Sequence, residues 1–218
     1  SKFAVGAAWR FSGLVLRGGA VEGPVIQNLA ALPILALPGG ASDAAKKAHA
    51  EIKAAVGDKY VVGEGEAWTS ETQAQWLAGC SRDRYVLPSK WVATRPAHQF
   101  GYWFFISRTF DPTKPATLSI SSDPKKKRVD LVAENVEEFT LYVNDLLVDM
   151  DKPFDIYVNG EKKMEGVVSE RSAAQLLEHL KTAAPVDPGA VFTARVEVAD
   201  IKAAEPEEEE EKKDPEDK

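Results

Sequence analysis

A chain of 218 residues, 44% of them hydrophobic, is long enough for one large core or two small ones. It contains no apolar run of about 18 residues, so no membrane span is expected, and its single cysteine, Cys80, excludes an internal disulfide. The net charge of −7 is local: nine acidic residues against three lysines from Glu205 onward carry −6, which leaves the body close to neutral and gives nucleic-acid binding no electrostatic support.

In chain order, Lys2 to Arg10 reads as the end of a helix, broken by Ser12 and Gly13. Leu14 to Leu16 is a short apolar run of the kind found in buried parallel strands, and Ile26 to Ala31 suits a turn of helix. Leu32 to Leu37 is a second buried strand. A helix follows over Ala44 to Val56, N-capped by Ser42 or Asp43 and stopped at Gly57, where a left-handed residue belongs. Tyr60 to Val62 is a third strand. Ser70, with Gln73 three residues on, predicts a capping box and a further helix through Trp76 and Leu77. Alternation of apolar strands and helices indicates a parallel α/β layer, although three short strands are few for a stable doubly wound sheet. The layer begins in mid-helix, so part of it is expected to precede Ser1.

Residues 82–100 read as a connector. Beyond it, β-prone runs come at short intervals: Tyr102 to Ile106, Ala116 to Ser121, Arg128 to Ala133, Glu138 to Val143, Phe154 to Val158, Lys162 to Val168 and Val191 to Val198. This spacing predicts an antiparallel β-sandwich. One inserted helix, capped at Ser169, carries Ala173, Leu176, Leu177 and Leu180 on one face. The Asn159-Gly160 pair is a hairpin signal. A two-residue loop would turn Met164 away from the face of Phe154 and Ile156, so parity predicts a bulged three-residue turn with Gly160 at positive φ. The expected organisation is an α/β segment over 1–88, a β-sandwich over 89–200 and a disordered acidic tail over 201–218.

Chemistry is sparse. His49, His98 and His179 show no ligand spacing and there is no cysteine pair, so no metal site is expected. The absence of GxGxxG and GxxxxGK[ST] leaves no expectation of a cofactor. The basic run from Lys125 to Arg128 reads as a solvated turn, and Cys80 as an ordinary thiol.

Four stretches carry a resemblance. Phe11-Ser-Gly-Leu-Val-Leu16 resembles the strand after the nucleophile helix of an α/β-hydrolase of the dienelactone-hydrolase or prolyl-peptidase-like type. Leu32-Pro-Ile-Leu-Ala-Leu-Pro-Gly39, followed by Asp43, is similar to that family's strand and loop for the triad acid. Tyr60-Val-Val-Gly-Glu-Gly-Glu-Ala-Trp68 resembles its last strand and histidine loop, and the segment with Trp76 and Leu77 its closing helix. The β-rich remainder resembles accessory β-sandwich domains that follow some bacterial hydrolases. The resemblance makes Asp43 the candidate triad acid and puts Glu66 at the position of the histidine. The nucleophile would precede Ser1, and Gly-x-Ser-x-Gly is absent. The resemblance therefore implies an incomplete α/β-hydrolase-like segment. It would belong to a non-catalytic or incomplete member of the serine-hydrolase (esterase or peptidase) superfamily whose β-sandwich serves packing or binding. The alternative is a structural or interaction subunit of a larger assembly, with the β-sandwich as its working part. The expected partner is another protein chain or a preceding part of the same protein. The resemblance also implies an extracytoplasmic setting.

Overall fold

A computed structural model describes residues 8, 11–17, 23–37, 42–64, 67–81, 87, 89–123, 125, 127–175, 177 and 194–202. Its content is mixed α/β and mostly β. The predicted helix over Lys2 to Arg10, apart from Ala8, and residues 203–218 of the acidic tail lie outside the described residues. The tail does not begin at Ile201 as expected, because Ile201 is buried in the core, 3% exposed, with its N–H on the Glu137 carbonyl.

The first sheet is parallel. Strands β1 (Leu14–Arg17), β2 (Ile34–Leu37) and β3 (Tyr60–Val62) lie side by side in chain order, with Leu14 beside Ile34 and Ile34 beside Tyr60. The central β2 is the apolar one, and Ile34, Leu35 and Ala36 are fully buried. Between β1 and β2 the chain makes a 3-10 turn over Pro24–Leu29, a tighter winding than the α-turn expected there. Helix α1 (Asp43–Val56) follows β2 and buries Ala48, His49, Ile52 and Val56, an i, i+3, i+4 stripe. Ser42 caps it by accepting from the Ala45 N–H at 3.3 Å, which decides between the two candidate caps. Gly57 ends it at φ 65, as its position predicts. Helix α2 (Ser70–Gly79) follows β3. Its cap is Thr69, not Ser70: the Thr69 hydroxyl accepts from the Thr72 N–H. The predicted capping box does not form, because the Gln73 amide is engaged elsewhere.

The β-rich part holds two further sheets. One has five strands in the order β10 (Glu161–Val167), β9 (Phe154–Val158), β7 (Arg128–Glu134), β6 (Ala116–Asp123) and β4 (Ser89–Ala93). The other has the order β11 (Ala194–Val198), β8 (Glu138–Val143) and β5 (Phe104–Arg108). Alternation holds on β6 to β9 and β11: Leu118, Ile120, Val129, Leu131, Phe139, Leu141, Phe154, Ile156 and Val196 are buried while their neighbours are not. Both sheets contribute to one buried cluster, which also takes in Leu29, Leu32, Ile34 and Ile52 of the parallel layer.

In the β-rich part three expectations are corrected. The β-rich part is not wholly antiparallel, since β7 and β9 run parallel. The intervening β8 crosses to the other sheet, so the chain returns in its original direction. The Asn159-Gly160 loop has two residues, with Val158 opposite Glu161 and φ of 52 and 82. Met164 nevertheless stands opposite Ile156, because the bulge lies within β10, between Lys162 and Met164. The extra residue demanded by parity is thus in the strand, not the turn. Finally, helical residues 173–175 begin after Ser172, whose hydroxyl accepts from the Gln175 N–H; Ser169 is not the cap.

Candidate functional site

Because β1, β2 and β3 are parallel, they end at one edge of their sheet, at Arg17, Leu37 and Val62. The segments leaving β2 and β3 start from that edge, where open parallel sheets hold their ligands. At the tip of β1, Arg17 donates through Nε and Nη2 to Gln73 Oε1 at 2.9 and 2.5 Å. Gln73 is buried and donates through Nε2 to the Trp68 carbonyl at 2.6 Å. After β3 the chain passes under Trp68. A Cβ on Gly63 would lie 2.4 Å from Trp68 Nε1 and 2.6 Å from Leu37 Cδ2, so only glycine fits.

Asp43 is the first residue of α1. Its side chain is 98% exposed and pairs with Lys46 at 2.9 Å. A carboxylate there favours the helix dipole. Glu66 and His179 lie outside the described residues. The two described imidazoles are bonded away from Asp43. His98 accepts from Arg95 Nε at 2.8 Å through Nε2, which assigns its proton to Nδ1, 3.0 Å from the Thr94 hydroxyl. Burial and then the Arg95 charge hold its pKa below the ordinary histidine value. His49 is buried on the inner face of α1, with Nδ1 2.6 Å from the Tyr60 hydroxyl. Burial lowers its pKa and raises that of Tyr60. Cys80 caps α2, donates to the Trp76 carbonyl and packs on Gly13; burial pushes its thiol pKa up, away from nucleophilic character.

Of the basic run, Lys125 and Lys127 are exposed and Arg128 turns onto the sheet. Arg128 bonds Asp130 and stacks 3.6 Å over the Tyr157 ring, while Lys162 pairs with Asp155 at 2.9 Å. The bond from Asp130 holds the Arg128 pKa above its ordinary value. Among the described residues no three of His, Cys, Asp and Glu gather as a metal site, and no helix is long and apolar enough to cross a membrane.

Sequence reasoning missed a repeated device. Three asparagines each grip one residue's backbone N–H and C=O. Asn28, 1% exposed, accepts from Val92 N–H at 2.7 Å and donates to Val92 O at 2.9 Å. Asn135 does the same to Asp111 at 2.8 and 2.8 Å, and Asn159 to Ala133 at 2.8 and 3.0 Å. Each amide reproduces the paired bonds of an antiparallel partner residue. Asn135 and Asn159 stand at φ 55 and 52, a region asparagine tolerates better than other non-glycine residues, which was the available signal for those two. Asn28 clamps the outer strand β4 to the parallel layer, and nothing in its sequence context marks it. No protein-family model matches the chain, and comparison with curated proteins and solved structures finds no match either.

Proposed function

We propose that this chain is a non-catalytic or incomplete unit of the serine-hydrolase (esterase or peptidase) superfamily, in which an α/β-hydrolase-like layer carries a β-rich part that packs against or binds another protein segment. The observation that carries the reading is the order of the parallel sheet. Three parallel strands adjacent in chain order, with a helix after β2 and another after β3, are what the resemblance of residues 11–79 implies. Asp43 and Glu66 belong to the segments that follow β2 and β3, the positions of the family's acid and histidine. The residues argue against chemistry. A glutamate cannot relay between serine and acid as an imidazole does, and the described histidines are buried in other bonds.

A fluorophosphonate probe tests this. The 218-residue chain is expected to remain unlabelled under conditions that label a control esterase. Stoichiometric labelling of one of its serines would overturn the reading. An interaction subunit is the second reading, and one feature favours it. Phe100, 44% exposed, stacks on Phe105 at 4.5 Å beside the outer strand β5, an apolar pair at a sheet edge.

A further inference from the structure

His49 is the polar residue that α1 turns inward. Seven per cent of its surface is exposed, and it faces Tyr60, the first residue of β3. The rings meet edge to face, with centroids 6.3 Å apart. The Tyr60 hydroxyl satisfies Nδ1. Nε2 is enclosed and meets no hydrogen-bond partner among the described residues. A neutral imidazole tolerates this arrangement at modest cost. An imidazolium does not, because it places a second N–H and a full charge where neither is answered.

Among the described residues the surroundings offer no counter-charge. The 3-10 turn Pro24–Leu29, packed against α1, carries no titratable side chain. On β3 the titratable group is Tyr60 itself, kept in its neutral hydroxyl form by burial. The turn Gly57–Lys59 contributes Asp58 and Lys59, both exposed, with Lys59 Nζ directed to the Ala31 carbonyl at 3.4 Å. On α1 the neighbours at i−3 and i+4 are Lys46 and Lys53, both cations; Glu51 at i+2 lies off that face, and Asp43 is engaged with Lys46. Burial lowers the His49 pKa, and no charge among the described residues contributes to the shift.

We propose that the His49–Tyr60 contact is an acid-sensitive latch: protonation of His49 releases α1 from β3 and opens the parallel layer at its outer strand. The sign follows from linkage. The folded-state pKa lies below the ordinary value that His49 regains on opening, so the open form binds more protons and opening becomes easier as pH falls through that window. Above the ordinary value both forms are neutral and pH has no effect. Release uncovers Ile52 and Val56 beside Val61 and Val62, which are already exposed on β3. This inference stands independently of the hydrolase reading.

Peptide-resolved hydrogen exchange of the whole chain at about pH 7.5 and about pH 5, corrected for intrinsic exchange, is the test. Protection over residues 43–62 is expected to fall in the wild type by up to about tenfold per pH unit once the window is entered. His49→Gln, neutral at both values, is expected to abolish that dependence. His98→Gln, at the other buried imidazole, is expected to leave it intact. A wild-type difference that persists in His49→Gln, or no wild-type difference, overturns the latch. Should His49→Gln fail to fold, the His49 Cε1–H resonance of the wild type decides. A titration midpoint below the ordinary histidine value supports the latch, and one at or above it overturns it.

Discussion

The parallel layer and the β-rich part differ in how much of their cohesion comes from strand pairing. In the β-rich part the ladders are long: β6 and β7 pair over seven consecutive positions, and β8 and β11 over five. In the parallel layer the strands have four, four and three residues. There, side-chain bonds add to the short ladders: Arg17 to Gln73, Gln73 to Trp68, His49 to Tyr60, Asn28 to Val92. A long ladder is cooperative along its length, whereas a layer held by single side-chain bonds is vulnerable one residue at a time. The comparison predicts that point substitutions in polar positions cost more in the smaller layer than in the larger.

Asn28→Ala should have the largest effect. It leaves the N–H and C=O of Val92 unanswered in a dry contact, at a cost of roughly 2–3 kcal/mol, read as a lowered urea midpoint. Asn28→Asp sharpens the point: it keeps an acceptor for the Val92 N–H but sets a carboxylate against the carbonyl, so it should not rescue. Gly63→Ala comes next, at about 1–3 kcal/mol, since the new Cβ meets both Trp68 and Leu37. Asn135→Gly follows in the β-rich part. Glycine suits φ 55, so the loss reports the amide's bonds to Asp111, Lys114 and Pro115, about 1 kcal/mol or less at this more exposed site. Equal losses for Asn28→Ala and Asn135→Gly would break the comparison. Asp43→Ala should change the thermal midpoint least, because its carboxylate is in solvent and paired with an exposed lysine.

The strands with one buried face were legible in the sequence because their period of two survives in the residues: Glu138–Val143 and Phe154–Val158 have the bounds that their patterning predicts. Strand β4 was not. Trp91, Val92 and Ala93 are all buried, since Asn28 and its turn cover the face that an outer strand normally leaves to water, and the alternation is lost. The β10 bulge was half legible. Met164 had to face the core, but the sequence does not say where the extra residue goes. Gly166, at φ 60 with its N–H on Asp155, accommodates a second one. Of the candidate site residues, Asp43 was read on a helix N-terminus and lies there, but the cap is its neighbour Ser42, because a Ser-Asp pair offers two acceptors one residue apart. His49 and Tyr60 carried no signal, since a histidine on an alanine-rich helix reads the same whether it faces core or solvent.

The claim that the parallel layer carries no hydrolase chemistry is tested most directly by nitrophenyl ester hydrolysis, comparing the chain with Asp43→Ala and Glu66→Ala. Turnover indistinguishable from buffer is expected in all three. Turnover by the wild type that disappears in either variant would contradict it.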